Sequence, residues 1–156
     1  MYKNQSIISS IAGFTLVELV ITLVVIGALS VVVLPRLNNV LVFSTRGFSD
    51  QARAAFQYAQ KHAIAQRRNV CVTVTASSVS LTRASIAGAA ETCSVAVANP
   101  TGGGNYDLTA PSSVTLSPPG VITFDALGAT TSSANIAVAG DGTFSIIVEA
   151  ATGYVH

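Results

Sequence analysis

The stretch that decides the architecture is Gly13-Phe14-Thr15-Leu16-Val17-Glu18, which opens a segment with no further charged residue until Arg36. The 21 residues from Phe14 to Leu34 would form a helix of ~31 Å at ~1.5 Å per residue, which matches the ~30 Å hydrocarbon core of a bilayer. Glu18 is the one ionisable side chain in this segment, and an ionised group there costs at least ~2.5 kcal/mol, less near the interface. Such a charge is retained where it has a partner, so we expect Glu18 to face an opposite charge.

Three other interpretations explain only parts of this stretch. A secretory signal peptide would carry a small-residue cleavage site after the apolar run, and Val33–Arg36 offers none. A plain membrane anchor explains the hydrophobicity but neither Glu18 nor the Gly13-Phe14 boundary. A buried core helix would rarely be apolar on every face over Leu19–Leu34, where only two residues are polar.

The stretch Gly13–Leu19 resembles the processing site of type IV prepilins and of type II secretion pseudopilins. The resemblance implies that residues 1–13 are a leader peptide, that a prepilin peptidase cuts after Gly13, and that Phe14 is then N-methylated. Residues 14–36 would form the hydrophobic transmembrane and assembly helix, in which Glu18 pairs with the amino terminus of a neighbouring subunit. Residues 37–156 would form a periplasmic or extracellular pilin domain.

The C-terminal part of the chain refines this resemblance. The segments Phe124–Gly128, Asp141-Gly142 and Gly153–Val155 resemble the GspH/FimT group of minor pilins and pseudopilins. Three further segments are similar in sequence to a minor pilin of the mannose-sensitive haemagglutinin pilus, namely Leu34–Arg36, Tyr58–Lys61 and Glu149–Val155.

The resemblance implies a minor pilin that helps to assemble or initiate a type IV pilus. A type II secretion pseudopilin is the alternative, and a DNA-binding FimT-like pilin used for DNA uptake is another. The implied partners are other pilin subunits, the prepilin peptidase, the inner-membrane assembly platform and, before assembly, inner-membrane lipid. The chain would cross the inner membrane once with its C-terminal domain in the periplasm, and then enter a pilus or pseudopilus at the cell envelope.

The hydrophobic periodicity predicts one long helix over residues 14–68, hydrophobic at first and amphipathic later. Pro35 disturbs it because proline removes a backbone donor, and the resemblance implies a helix bend there. One later face is apolar at helical spacing and should pack on a sheet; it consists of Phe48, Ala52, Phe56, Ala59 and Ala63. Arg67 and Arg68 fall near the last turn, and Asn69 is the expected cap.

After Asn69 the period changes to two, which is typical of strands. The patterns predict strands at 70–75, 79–82, 113–116, 121–124, 135–138 and 143–149, with a short last one at 154–156. Residues 84–112 are small, polar and glycine-rich, and are predicted to form a long loop. Asp141-Gly142 is a hairpin signal. A helix followed by consecutive strands predicts an α+β fold, with the helix packed on an antiparallel sheet.

The two cysteines, Cys71 and Cys93, are predicted to form a disulfide, because the pilin interpretation places both in an oxidising compartment. The bond would contribute roughly 3 kcal/mol on the chain-entropy model. A pair of free, buried thiols is the alternative.

The sequence contains no pattern typical of an enzyme, metal site or cofactor site. His62 and His156 are the only histidines, and neither stands in the pattern of a catalytic triad. Gly102–Gly104 lacks the Lys-Ser/Thr of a phosphate loop. We therefore expect a structural protein with no catalytic residues, metal or cofactor.

Charge is distributed unevenly along the chain. Residues 36–83 carry seven basic side chains and one acid, a net +6, whereas residues 84–156 carry five acids and no base, a net −5. Phosphate binding needs clustered basic residues, and Arg67, Arg68 and Arg83 are the only candidates for such a patch. We therefore do not expect nucleic acid to be a main partner.

Overall fold

The computed structural model describes residues 14–88 and 92–156, with side chains throughout except at 31–43. The predicted leader, including Gly13, lies outside the described residues, as do the acid Glu91 and the side chain of Pro35. The chain divides into two compact units, Met1–Asn38 and Asn39–His156. Helix α1, Leu16–Gln66, contributes to both units. The helix bend at Pro35 stays a prediction.

No helical stretch among the described residues is both long enough and apolar enough to cross a membrane.

Helix α1 ends two residues earlier than the periodicity predicted. Arg67 has a φ of 51°, and its N–H donates to the Ile64 carbonyl at 3.3 Å, while the Arg68 N–H donates to the Ala63 carbonyl at 3.2 Å. This pair of bonds around a left-handed residue is a Schellman motif, which satisfies the last carbonyls of a helix. Arg67 therefore takes the position predicted for Asn69. Arg67 and Arg68 lie next to the last turn, as predicted, but both follow the helix rather than belonging to it.

In the described part of the chain, eight strands follow the helix: β1 (Val70–Val74), β2 (Ser78–Ala84), β3 (Cys93–Ala96), β4 (Asp107–Thr109), β5 (Thr115–Ser117), β6 (Gly120–Phe124), β7 (Ala134–Ala139) and β8 (Thr143–Val148). They form two antiparallel sheets where one was predicted. The first has the order β3-β2-β1-β6, with β4 also paired to β2, and the second has the order β5-β7-β8. The α+β architecture with a helix packed on antiparallel sheet is confirmed.

The predicted loop over residues 84–112 contains two strands, so that prediction was wrong. Strand β2 has seven residues, and its outer edge is long enough for β4 and β3 to pair with it one after the other. Val79 lies opposite Leu108, and Arg83 lies opposite Val95. The added strands have only three and four residues, which is too short for an alternating pattern to stand out in the sequence.

The hairpin predicted at Asp141-Gly142 is confirmed, since it joins β7 to β8 directly after the pair Ala139 and Thr143. The last predicted strand is reduced to a bridge between Val148 and Val155. Beside that bridge, Ile147 and His156 exchange two main-chain hydrogen bonds of 2.9 and 3.0 Å. The chain end therefore covers the outer edge of β8.

One core joins the second half of α1 to both sheets. The predicted helix face is buried, and Ala55 belongs to it as well. Burial alternates along the strands, so that Val70, Val72 and Val74 of β1 are buried while the residues between them are half-buried. Phe56 is fully buried, and removing a side chain of this size from water contributes roughly 1.5–3 kcal/mol.

Candidate functional site

The first turn of α1 is capped by a threonine and carries the predicted assembly residue. The Glu18 N–H donates to the Thr15 hydroxyl at 3.3 Å, and the Leu19 N–H donates to the Thr15 carbonyl at 3.2 Å. Thr15 and Glu18 have the spacing of a capping box, and a carboxylate in this turn also complements the helix dipole. Glu18 is exposed, so its carboxylate is accessible to another chain.

The helix surface that follows Glu18 is apolar and exposed on all sides. Every residue from Phe14 to Ser30 is exposed, and the large apolar side chains among them are between 49% and 78% exposed. Its two hydroxyls bond to their own helix, because Thr22 donates to the Leu19 carbonyl and Ser30 to the Ile26 carbonyl. A continuous apolar surface of this kind marks a contact with another protein or with lipid.

The three candidate arginines have different surroundings. Arg67 is exposed beyond the helix end. The Arg68 guanidinium donates to the Ser85 carbonyl, and the Arg83 guanidinium donates to the Ala84 carbonyl at 3.4 Å. The structure thus places Arg68 and Arg83 beside two consecutive carbonyls at the end of β2, those of Ala84 and Ser85. Each guanidinium already donates a hydrogen bond to one of them.

Cys71 and Cys93 form the predicted disulfide, with their Cα atoms 6.0 Å apart. This separation lies within the usual range for such bonds. Cys71 belongs to β1 and Cys93 begins β3, two strands that lie on opposite sides of β2 in the sheet order. The bond therefore fastens the short edge strand β3, whose few main-chain pairs would otherwise hold it alone.

The sequence did not single out Gln60, which holds the C-terminal part of the chain against α1. Its side-chain amide donates to the Gly128 carbonyl at 3.2 Å and to the Thr152 carbonyl at 2.8 Å. One turn earlier, Gln57 donates to the Val155 carbonyl at 3.4 Å. Two glutamines three residues apart beside a buried apolar face are the signal that could have pointed to this contact.

Two glycines of the resembling C-terminal segments meet beneath Gln60. Gly128 and Gly153 have φ values of +84° and +62°, and a Cβ on Gly153 would lie 1.8 Å from the Gly128 carbonyl oxygen. Glycine is required here both for the positive φ and for the close approach of main chain. Phe124–Gly128 and Gly153–Val155, two of the segments that resemble the GspH/FimT group, therefore meet in one contact. We call it the glycine contact (Gln60, Gly128, Gly153).

His62 of α1 belongs to an aromatic cluster with Tyr58 of the same helix and Tyr106, and not to a catalytic arrangement. The Tyr58 ring is 5.5 Å from the His62 ring and stacks on Tyr106 at 5.2 Å. Burial, together with the nearby Arg83 charge, lowers the pKa of His62. Burial, with the neighbouring Tyr58, raises the pKa of Tyr106.

This environment predicts a pH dependence of stability. The folded protein favours neutral His62, so the unfolded chain binds more protons as the pH falls below the ordinary histidine pKa of 6.5. The stabilisation that comes from keeping His62 neutral is fully present above pH 6.5. It is lost as the pH falls towards the lowered pKa of His62 in the folded protein. We expect His62→Gln to flatten the decline in unfolding free energy measured by denaturant titration from pH 7.5 down to 5.5.

His156→Gln is the matched control, because the His156 side chain is exposed and its imidazole lies beside the Glu149 carboxylate, at 3.4 Å, and the Tyr154 ring. Exposed ion pairs contribute little, so this variant should keep the decline. An unchanged decline in His62→Gln would contradict the prediction.

Within residues 14–88 and 92–156, no group of three histidine, cysteine or acidic side chains is placed to hold a metal ion.

No family model matches the sequence, and no curated protein matches it either. Two solved structures do, and both are the type IV minor pilin FimU of Pseudomonas aeruginosa strain PAO1 in different crystal forms. The first is 18% identical with a TM-score of 0.52, covering 71% of this chain and 90% of that one. The second is 18% identical with a TM-score of 0.51, covering 76% and 88%. This chain therefore has a fold similar to that of the minor pilin FimU.

Proposed function

We propose that the chain is a minor pilin, a low-abundance subunit that helps to initiate or build a type IV pilus. The observation that carries the proposal is a pilin-like domain preceded by a capped, exposed apolar helix with Glu18 in its first turn. The exposed apolar side chains of this helix are not part of the core of the domain, whereas a filament subunit needs such a surface to pack against neighbouring subunits.

Processing and assembly would follow from the same residues. A prepilin peptidase cuts after Gly13, which leaves Phe14 with a cationic, N-methylated amino terminus. Residues 14–36 hold the subunit in the inner membrane, with the later domain in the periplasm, until the assembly platform inserts it. In the filament, Glu18 balances the amino terminus of a neighbouring subunit, an attraction that strengthens where water is excluded.

Mass spectrometry of envelope protein tests the processing step. The mature chain should begin with N-methylated Phe14, and replacing Gly13 with leucine should leave the precursor uncut. A mature amino terminus beyond Leu34 would refute the proposal, because it would indicate an ordinary signal peptide.

Glu18→Ala should reduce incorporation into filaments without reducing the stability of the later domain. Loss of one charge pair between helices is expected to lower co-purification with sister pilins by about tenfold, equivalent to ~1.4 kcal/mol. Glu149→Ala removes an exposed carboxylate from the far part of the chain and is the matched control. Quantitative pull-downs of the full-length variants measure the effect, and equal recovery of both variants would contradict the role.

The kind of filament that the chain enters is inferred from short sequence segments alone. The segments that resemble a minor pilin of the mannose-sensitive haemagglutinin pilus support a pilus, and a type II secretion pseudopilin is the alternative. Identification of the co-purified sister subunits distinguishes the two. A DNA-uptake role is less well supported, because Arg68 and Arg83 already donate to main-chain carbonyls, which leaves Arg67 as the most available of the three for phosphate.

A further inference from the structure

A cleft of about 300 Å³ lies between the two sheets. One wall is formed by the start of β6 and the two prolines before it, residues 118–122. The other wall is formed by the start of β7 and the turn before it, residues 132–136, with Val74 completing the lining. None of these residues carries a charge.

Both strands present open main-chain groups to this cleft. Strand β6 is the last strand of the first sheet, and its edge is occupied only at the far end, where Phe124 forms an antiparallel bridge with Thr130. Strand β7 is paired to β5 only at Ala137–Ala139, because β5 ends at Ser117, opposite Ala137. Among the described strands, residues 134–136 therefore have β8 on one side and none on the other.

The hydrogen-bonding pattern of β8 shows which main-chain groups of β7 are open. Ile147 exchanges both of its main-chain hydrogen bonds with His156, so its N–H and C=O point away from β7. Asn135 lies opposite Ile147 and belongs to a non-hydrogen-bonded pair. Since N–H and C=O alternate sides along a strand, those of Asn135 point to the open side.

The same reasoning identifies the open groups of β6. Ala84 donates to the Asn69 carbonyl and Thr75 donates to the Ser78 carbonyl, so the odd-numbered residues of β1 direct their main-chain groups to β2. The even-numbered ones face β6, and Val72 pairs there with Ile122. The N–H and C=O of Val121 therefore point outward, and its side chain is 60% exposed.

At Val121 and Asn135 these edges lack the features by which proteins usually block strand addition, and the bridge to Thr130 covers β6 only at Phe124. Edge strands are commonly protected by lysine or other charges, by proline or by a covering segment. Neither Gly120–Phe124 nor Ala134–Ala139 contains a charged residue. Pro118 and Pro119 stand only at the end of the β6 edge, where the absence of N–H groups limits pairing to the residues that follow.

We propose that this cleft binds an extended, uncharged segment of another protein by strand addition. The main chain of the segment pairs with the open groups of Val121 and Asn135, the mode by which exposed sheet edges recognise peptides. An uncharged segment is favoured because the lining offers no counter-charge, and a buried unpaired charge is strongly unfavourable. The site does not involve the N-terminal helix, so the proposal is independent of the function proposed above.

The test uses the ¹⁵N-labelled full chain in detergent micelles and a capped Thr-Val-Thr-Val-Thr peptide. Adding peptide should shift the amide signals of Val121 and Asn135 and slow their hydrogen exchange at least about tenfold, since each tenfold change reflects ~1.4 kcal/mol of protection. The same peptide N-methylated at alternate amides should have no effect, because it cannot donate to the strand edges.

Val121→Lys places a charge at the exposed edge and should weaken peptide binding at least about tenfold, the same ~1.4 kcal/mol step. Tyr154→Lys is the matched control, because Tyr154 is 61% exposed and lies outside the cleft; it should bind as the parent does. Unchanged β8 amide exchange confirms that both variants fold. Absence of shifts at millimolar peptide, equal binding of the N-methylated peptide, or equal binding by Val121→Lys would overturn the proposal. So would concentration-dependent shifts without peptide, which would assign the edge to a second copy of the chain.

Discussion

Replacing Gly153 with alanine is expected to destabilise the domain by about 3 kcal/mol or more. A left-handed φ costs a non-glycine residue ~1–2 kcal/mol, and overpacking adds ~1–3 kcal/mol. The added Cβ would lie 1.8 Å from the Gly128 carbonyl oxygen and 2.9 Å from the Gln60 side-chain nitrogen. The main chain of two segments must therefore separate, which also breaks the bonds that Gln60 makes.

Guanidinium titration of the full chain in detergent micelles measures this change. Tyrosine fluorescence is a suitable signal, because the chain has four tyrosines and no tryptophan. Gly142→Ala is the matched control, since a Cβ there meets nothing closer than 3.7 Å and should change stability by less than about 0.5 kcal/mol. Equal midpoints for the two variants would show that the glycine contact is not a close contact.

Removing the disulfide is the second large effect expected. The Cys71→Ala/Cys93→Ala variant should lose roughly 3 kcal/mol, because a bond across a separation of 22 residues restricts the unfolded chain. Strand β3 should also lose protection from hydrogen exchange before the rest of the sheet, since it has only four residues and β2 is its one partner among the described strands.

A reductant supplies the control within the same experiment. Dithiothreitol should lower the stability of the parent chain to that of the double variant and leave the variant unchanged. A parent chain that keeps its full stability after complete reduction, verified by thiol alkylation, would contradict the prediction.

The parts of the fold that the sequence determined are those set by local repetition. The spacing of Phe48, Ala52 and Phe56 specified the buried helix face without reference to any partner. The alternation in β1 and in β8 specified two strands in the same way. The Asp141-Gly142 turn is equally local, because it joins two strands that are consecutive in the chain and pair directly with each other.

The sequence was misleading where a segment takes its structure from a distant neighbour. Residues 93–96 and 107–109 have no pattern of their own, and they become strands because the long edge of β2 accepts them. The helix end shows the same dependence on context. Arg67 occupies the left-handed position in spite of its Cβ, and Asn69, the better residue for it, instead accepts a hydrogen bond from Ala84.

The apolar helix with Glu18 in its first turn and the α+β order of elements follow from the sequence, because both depend on composition and short-range spacing. The pairing of Cys71 with Cys93 follows from the family resemblance, which implies an oxidising compartment. The cap at Thr15 is known only from the structure. Only the tertiary structure decided that the strands divide into two sheets, that Gln60 bridges Gly128 and Thr152, and that β6 and β7 leave open edges on one cleft. Those features depend on how distant segments meet once all the strands are placed. The Gln57 side chain, for example, donates to the Val155 carbonyl 98 positions along the chain.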